Sequence, residues 1–112
     1  VAGVSNQVTT DDLSSLMLQA VHGSHLSAEN TSVLLDSLRA QRFPVIGDLV
    51  PRGMDWGSKS GWVDGINHDV AFFGEPDSSE LKVLAICTSG YDERSAHEII
   101  HAIAASSVRR VD

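Results

Sequence analysis

One stretch constrains this chain more than any other: Trp56–Phe73, Trp-Gly-Ser-Lys-Ser-Gly-Trp-Val-Asp-Gly-Ile-Asn-His-Asp-Val-Ala-Phe-Phe. Asp64-Gly65, flanked by Val63 and Ile66, is the strongest short-range hairpin signal a sequence offers, because a tight type I′ turn needs positive φ at both central positions. A two-residue turn there also sets the register. It places His68 opposite Gly61 and diagonal to Lys59. Just before the turn stand a cation, a hydroxyl and a glycine, Lys59-Ser60-Gly61. Glycine inside a strand weakens it and often marks a close approach by a ligand or another backbone.

The rest of the chain supplies elements for this hairpin to pack against. Thr9 with Asp12 forms a capping-box variant, and Asp11 and Asp12 place negative charge in the positive first turn of a helix. Leu13, Leu16, Met17, Ala20 and Val21 then repeat at helical spacing up to Gly23. Ser27 caps a second helix with apolar face Leu34, Leu35 and Leu38, Arg39 and Arg42 near its negative end, and Pro44 as its stop. Val45–Asp55 holds Gly47, Pro51 and Gly53 and reads as a connecting loop. After the hairpin, Gly74–Ser79 is a turn and Leu81–Thr88 a nearly continuous apolar strand, which implies burial on both faces.

A last helix opens near Asp92 or Ser95 and closes near Val108. It carries the stripe Ala96, Ile99, Ile100, Ile103, Ala104, with Ser95 and Glu98 as a capping box. Val1–Val8 has no period and reads as coil. The expected fold is α+β, a three-stranded antiparallel sheet packed with helices, and residues 1–112 form a single unit. In this order Leu81–Thr88 is an edge strand, so the early helices, a second chain or chain upstream of Val1 must cover or pair with it.

Composition removes several function classes. A formal net charge of −7 leaves no basic patch for nucleic acid, since only Arg109-Arg110 pair up, beside Asp112. No apolar run approaches the roughly 18 residues of a membrane span, and no signal-peptide pattern opens the chain. Cys87 is the only cysteine, so no intrachain disulfide forms. A start at Val1 without an initiator Met points to a processed product or a piece of a longer protein.

Lys59-Ser60-Gly61 on a strand, with a tight turn and return strand, two helices before it and a strand and helix after it, resembles the C-terminal part of a known superfamily. That superfamily is the active-site serine hydrolases of the class A β-lactamase and penicillin-binding-protein type. The supporting residues are Asn6-Gln7-Val8-Thr9-Thr10-Asp11-Asp12-Leu13, Leu26-Ser27, Leu34-Leu35-Asp36-Ser37-Leu38-Arg39 and His68-Asp69, so the resemblance covers essentially the whole chain. It implies a three-layer αβα fold. In the roles it implies, Lys59 supports proton transfer and attracts a substrate carboxylate, Ser60 hydrogen-bonds that carboxylate, and Gly61 lets the acyl group lie against the strand. The Trp62 backbone N–H becomes an oxyanion-hole donor. His68 stands in for the basic side chain the family carries on the adjacent strand.

The implied substrate is a β-lactam or a peptide-like amide, with no cofactor, in a periplasmic or secreted location. Of the signature S-x-x-K, S-D-N and K-T-G, only the last has a counterpart here. Ser79-Glu80-Leu81-Lys82 fits S-x-x-K in letters only, because it follows the triad and leads into a strand. The serine nucleophile and the general-base lysine are therefore expected upstream of Val1.

Each of these residues also has a plainer reading. Lys59 is a solvated strand lysine near Asp55, Asp64 and Asp69, Ser60 is a pleat hydroxyl, and Trp62 is a core or surface aromatic. His97-Glu98-Ile99-Ile100-His101 matches the H-E-x-x-H of zinc peptidases, but both histidines fall on the flank of the apolar stripe. Only Asp112 follows as a third ligand, and a catalytic zinc needs three from the protein. His22 and His25 read as a solvated pair at a helix end, and Cys87 as a small buried hydrophobe. A non-catalytic binding module on the same scaffold is the alternative to the hydrolase.

Overall fold

The computed structural model describes residues 7–108. The coil read over Val1–Val8 is described only from Gln7 onward, and Asn6, Arg109, Arg110 and Asp112 lie outside the described residues. Helix α1 is Thr10–His22, capped by Thr9 Oγ1, which accepts the Asp12 N–H at 3.0 Å, and closed by Gly23 at φ 68°. Helix α2 is Ala28–Arg39, with Ser27 Oγ accepting the Asn30 N–H at 3.1 Å. It stops at Arg39, short of the expected Pro44. Ala40 leaves the helical region (φ −89°, ψ 16°), and the next residues turn to hydrogen-bond the sheet.

Strands β1 (Trp56–Val63) and β2 (Ile66–Phe73) form the hairpin in the expected register, Gly61 opposite His68. The turn itself is not type I′. No described non-glycine residue has positive φ, so Asp64 stays in the ordinary region and Gly65, at φ 77°, makes the reversal. The Gly65 carbonyl is held from outside, accepting the Gly90 N–H at 2.8 Å.

Strand β3 (Lys82–Ser89) pairs with β2, giving the order β1-β2-β3. It is not buried on both faces as its composition implied. Only Ile86 and Thr88 are buried, because an edge strand has a neighbour on one side alone. Helix α3 (Glu93–Val108) is capped by Asp92, whose Oδ1 accepts the Ser95 N–H at 2.8 Å, rather than by Ser95. Glu98 is consequently outside the cap and pairs with Arg94 at 3.5 Å. The buried line is Ala96, Ile100, Ala104 and Val108, while Ile103 turns to solvent.

The sheet is the middle of three layers. Val70 and Phe72 pack on Met17, Val21, Leu35 and Leu38 of α1 and α2. On the other face Ala71 and Ile86 pack on Ile100 and Ala104 of α3 and on Val45 and Ile46. The expected connecting loop after Pro44 contains a 3₁₀ helix, Ile46–Leu49, with Gly47 beneath the Trp56 ring. A Cβ at Gly47 would sit 2.3 Å from that ring. Strand alternation then sorts the hairpin: Ser58, Ser60, Trp62, Asn67 and Asp69 face the α3 side, and Lys59, Gly61 and His68 face the α1–α2 side.

Candidate substrate-binding site

Strand β1 delivers Lys59, Ser60, Gly61 and Trp62 in sequence at the outer edge of the sheet. Ser60 is buried, and its Oγ accepts from Gln41 Nε2 at 3.2 Å, so it is more than a pleat hydroxyl. Lys59 is exposed, and its Nζ folds back to donate to the Ser60 carbonyl. Two of the three carboxylates expected near it, Asp55 and Asp69, are engaged elsewhere. Asp55 takes a two-point bond from Arg39 at 2.9 and 2.8 Å, and Asp69 is buried on the opposite face.

Gly61 fronts open space, with no atom within 4 Å of where a Cβ would stand. Two cavities meet at this point. One, of about 340 Å³ on the α3 side, is lined by Arg42, Phe43, Ser60, Trp62, Asn67 and His97 among others. The second, of about 550 Å³, opens past Val8, Val63 and Ile66, and both share Gly61, Trp62 and His68. Trp62 is 54% exposed and meets Phe43 edge-on, ring centroids 5.6 Å apart at 79°. The Trp62 ring is thus a cavity wall, not a core residue.

His68 sits opposite Gly61 as the register required, half-buried, with Nδ1 buried and unpartnered. The cation that sequence reasoning missed is Arg42. It was placed on the C-terminal turn of α2, but the helix ends at Arg39 and Arg42 instead lines the cavity that holds Ser60 and Asn67. The sequence carried no local signal for this, since Pro44 restricts only Phe43, the residue before it, and the ties that end α2 come from the sheet.

Asp69 lies under this wall. It is 1% exposed and directly opposite Ser60, and its Oδ2 accepts the N–H groups of Val45 at 3.3 Å and Ile46 at 2.8 Å. Its Oδ1 has no partner. Burial pushes the carboxyl up to about 6; the bonds from Ile46 and Val45 pull against this, and the nearby Asp48 charge adds to it.

The H-E-x-x-H residues separate. His97 lines the smaller cavity, His101 Nε2 lies 3.0 Å from Asp48 Oδ2, and Glu98 points outward to Arg94. Among the described residues no three His, Cys, Asp or Glu side chains are grouped to hold a metal ion. Ser79 lies in the exposed turn before β3, and Lys82 pairs with Phe73 at the end of the sheet remote from Gly61. Cys87 is half-buried on β3, and burial raises its thiol pKa. No helix among the described residues is long and apolar enough to cross a membrane.

Comparison with known proteins extends these observations. A family model described as "Beta-lactamase enzyme family" matches residues 2–111. No curated protein matches the chain. A β-lactamase from Sphaerobacter thermophilus DSM 20745 has a similar structure, with TM-score 0.84 and 27% identity over 99% of this chain and 43% of its own. A class A β-lactamase from Mycobacterium abscessus gives 0.79 and 22% over 91% and 41%. A PBP-A mutant, solved as an acyl-enzyme complex with penicillin G, gives 0.74 and 20% over 88% and 38%. The chain therefore spans less than half the length of each of these proteins, and its sheet and helices match the C-terminal portion of the fold.

Proposed function

The chain belongs to the beta-lactamase enzyme family, and on that premise we propose that it forms the substrate-holding wall of an active-site serine hydrolase acting on β-lactam or peptidoglycan-type amide bonds. The observation that carries this reading is the open strand edge at Gly61, with Ser60 and Arg42 in the cavity beside it. A substrate acyl group lies along Gly61, where no side chain occupies the space. The Trp62 N–H donates to the carbonyl oxygen as negative charge develops there, which lowers the barrier only if the donor is already aimed at that position. Ser60 Oγ hydrogen-bonds the substrate carboxylate, and Arg42 supplies its counter-charge with a planar, always-charged fork. Lys59, on the opposite face of the strand, contributes positive potential and supports proton transfer toward the nucleophile. His68 is a secondary polar contact.

The attacking serine and its general base come from sequence beyond these 112 residues, in line with the 43% of the Sphaerobacter protein that the chain covers. Residues 1–112 are then one unit of a larger catalytic domain that works outside the cytoplasm, where peptidoglycan and β-lactams are met. Fluorescent penicillin, applied to the longest natural form of the protein, tests the proposal. Covalent labelling that excess benzylpenicillin blocks is the expected result. Folded protein that is not labelled overturns it in favour of a non-catalytic binding module.

A further inference from the structure

The segment Gln41–Ile46 is stitched to the sheet at two places, and both fall on a single cross-strand pair. Gln41 Nε2 donates to Ser60 Oγ at 3.2 Å, and the Val45 and Ile46 N–H groups donate to Asp69 Oδ2 at 3.3 and 2.8 Å. Ser60 and Asp69 face each other directly in the β1–β2 register. Between the stitches lie Arg42, Phe43 and Pro44, consecutive residues that line the smaller cavity. Pro44 has no N–H, so Val45 carries the first amide after this wall that can be tied down.

We propose that Asp69 and Gln41 are positioning residues that hold Arg42–Pro44 as a strap across the cavity, setting where the Arg42 side chain stands relative to Ser60. Val45 and Ile46 are buried against Ala71, Ile100 and Ala104, and that packing sets how deep the segment lies. Apolar burial is non-directional, however, and does not set position along the strand. Two hydrogen bonds to one carboxylate oxygen do. The fold accepts a cost for them, because Asp69 is almost fully buried, with one oxygen unpartnered. A buried apolar side chain would fill the same place without that cost but could not accept the two N–H groups.

The functional half of this inference rests on the reading of the cavity as a carboxylate site, so the experiment separates the two. In the longest natural form of the protein, amide exchange at Val45 and Ile46 is compared with exchange at Ile100. Asp69→Ala is expected to accelerate the first two roughly tenfold or more relative to Ile100, since two buried N–H groups lose their acceptor. Asp69→Asn retains an accepting oxygen and should keep both within about threefold of wild type. Acylation by benzylpenicillin should fall about tenfold in Asp69→Ala, be rescued by Asp69→Asn, and show little further loss when Asp69→Ala is added to Arg42→Ala. Where Asp69→Ala does not fold, Gln41→Ala frees the other end, and the same dependence on Arg42 is expected, with a shift of the Trp62 indole resonance.

Unchanged exchange at Val45 and Ile46, or equal losses of acylation with and without Arg42, overturns the strap. Faster exchange in a protein whose wild type does not react with benzylpenicillin refutes the substrate reading and still supports the strap.

Discussion

In the proposed reading Arg42 and His68 compete for one task, the cation opposite a substrate carboxylate, and their surroundings separate them. Both line the α3-side cavity that holds Ser60, but Arg42 is always charged, whereas His68 stands on the other face of β2 and its Nδ1 is buried. Removing a charge-assisted hydrogen bond costs about 1.5–3 kcal/mol, so Arg42→Ala should lower acylation efficiency roughly 10- to 100-fold, and His68→Ala only about threefold. Stopped-flow acylation of the two variants checks the ranking, and a larger loss for His68→Ala reverses the assignment. Asp69 makes a separate prediction about stability. Its pKa is about 6 in the folded protein against an ordinary 3.8, so the folded state holds its proton more tightly than the unfolded one. Stability from this group is full below pH 3.8 and is lost as pH rises through about 6. The loss is about 3 kcal/mol at most. Urea titrations of wild type and Asp69→Asn between pH 4 and 7.5 should diverge by an amount of that order, in favour of the variant at the upper end; parallel curves refute the shift.

At the level of elements, the hairpin separates what a sequence states from what a fold decides. Asp64-Gly65 fixed a two-residue turn and hence the register, but the assumption that both residues take positive φ fails, because the Gly90 N–H anchors the Gly65 carbonyl and Gly65 makes the turn alone. Gly65→Ala should therefore cost about 1–2 kcal/mol, the price of a left-handed non-glycine residue, although nothing crowds a Cβ there. Asp64→Ala should be nearly neutral, and a comparable loss at both positions in thermal unfolding restores the type I′ reading. The caps Thr9 and Ser27, the register of Lys59–Gly61 against His68 and the position of α3 were all legible because each depends on nearby residues. Arg42 was not legible, since the end of α2 is set by tertiary ties from Gln41, Val45 and Ile46 to the sheet. The narrower stripe of α3 escaped for a related reason: which of Ile99, Ile100 and Ile103 is buried depends on the angle at which the helix meets the sheet, and periodicity does not carry that.

The whole molecule is a plate with an open side. Its Cα extents are 38 × 36 × 23 Å, and its radius of gyration of 14.3 Å exceeds the roughly 13 Å of a compact chain of this length. Helices cover both faces of the sheet, yet among the described residues no strand pairs with the outer edge of β3, where Val83, Leu84 and Ala85 are only half-buried. An apolar edge with free N–H and C=O groups recruits another strand wherever one is available. The chain covers 43% of the Sphaerobacter protein, so in the family's larger fold that partner can belong to the same polypeptide. Produced alone, these 112 residues should self-associate at tens of micromolar, whereas the longest natural form should remain monomeric at the same concentration. Sedimentation velocity on both decides it. An isolated 112-residue chain that stays monomeric at about 100 µM and unfolds cooperatively would show that the β3 edge needs no partner.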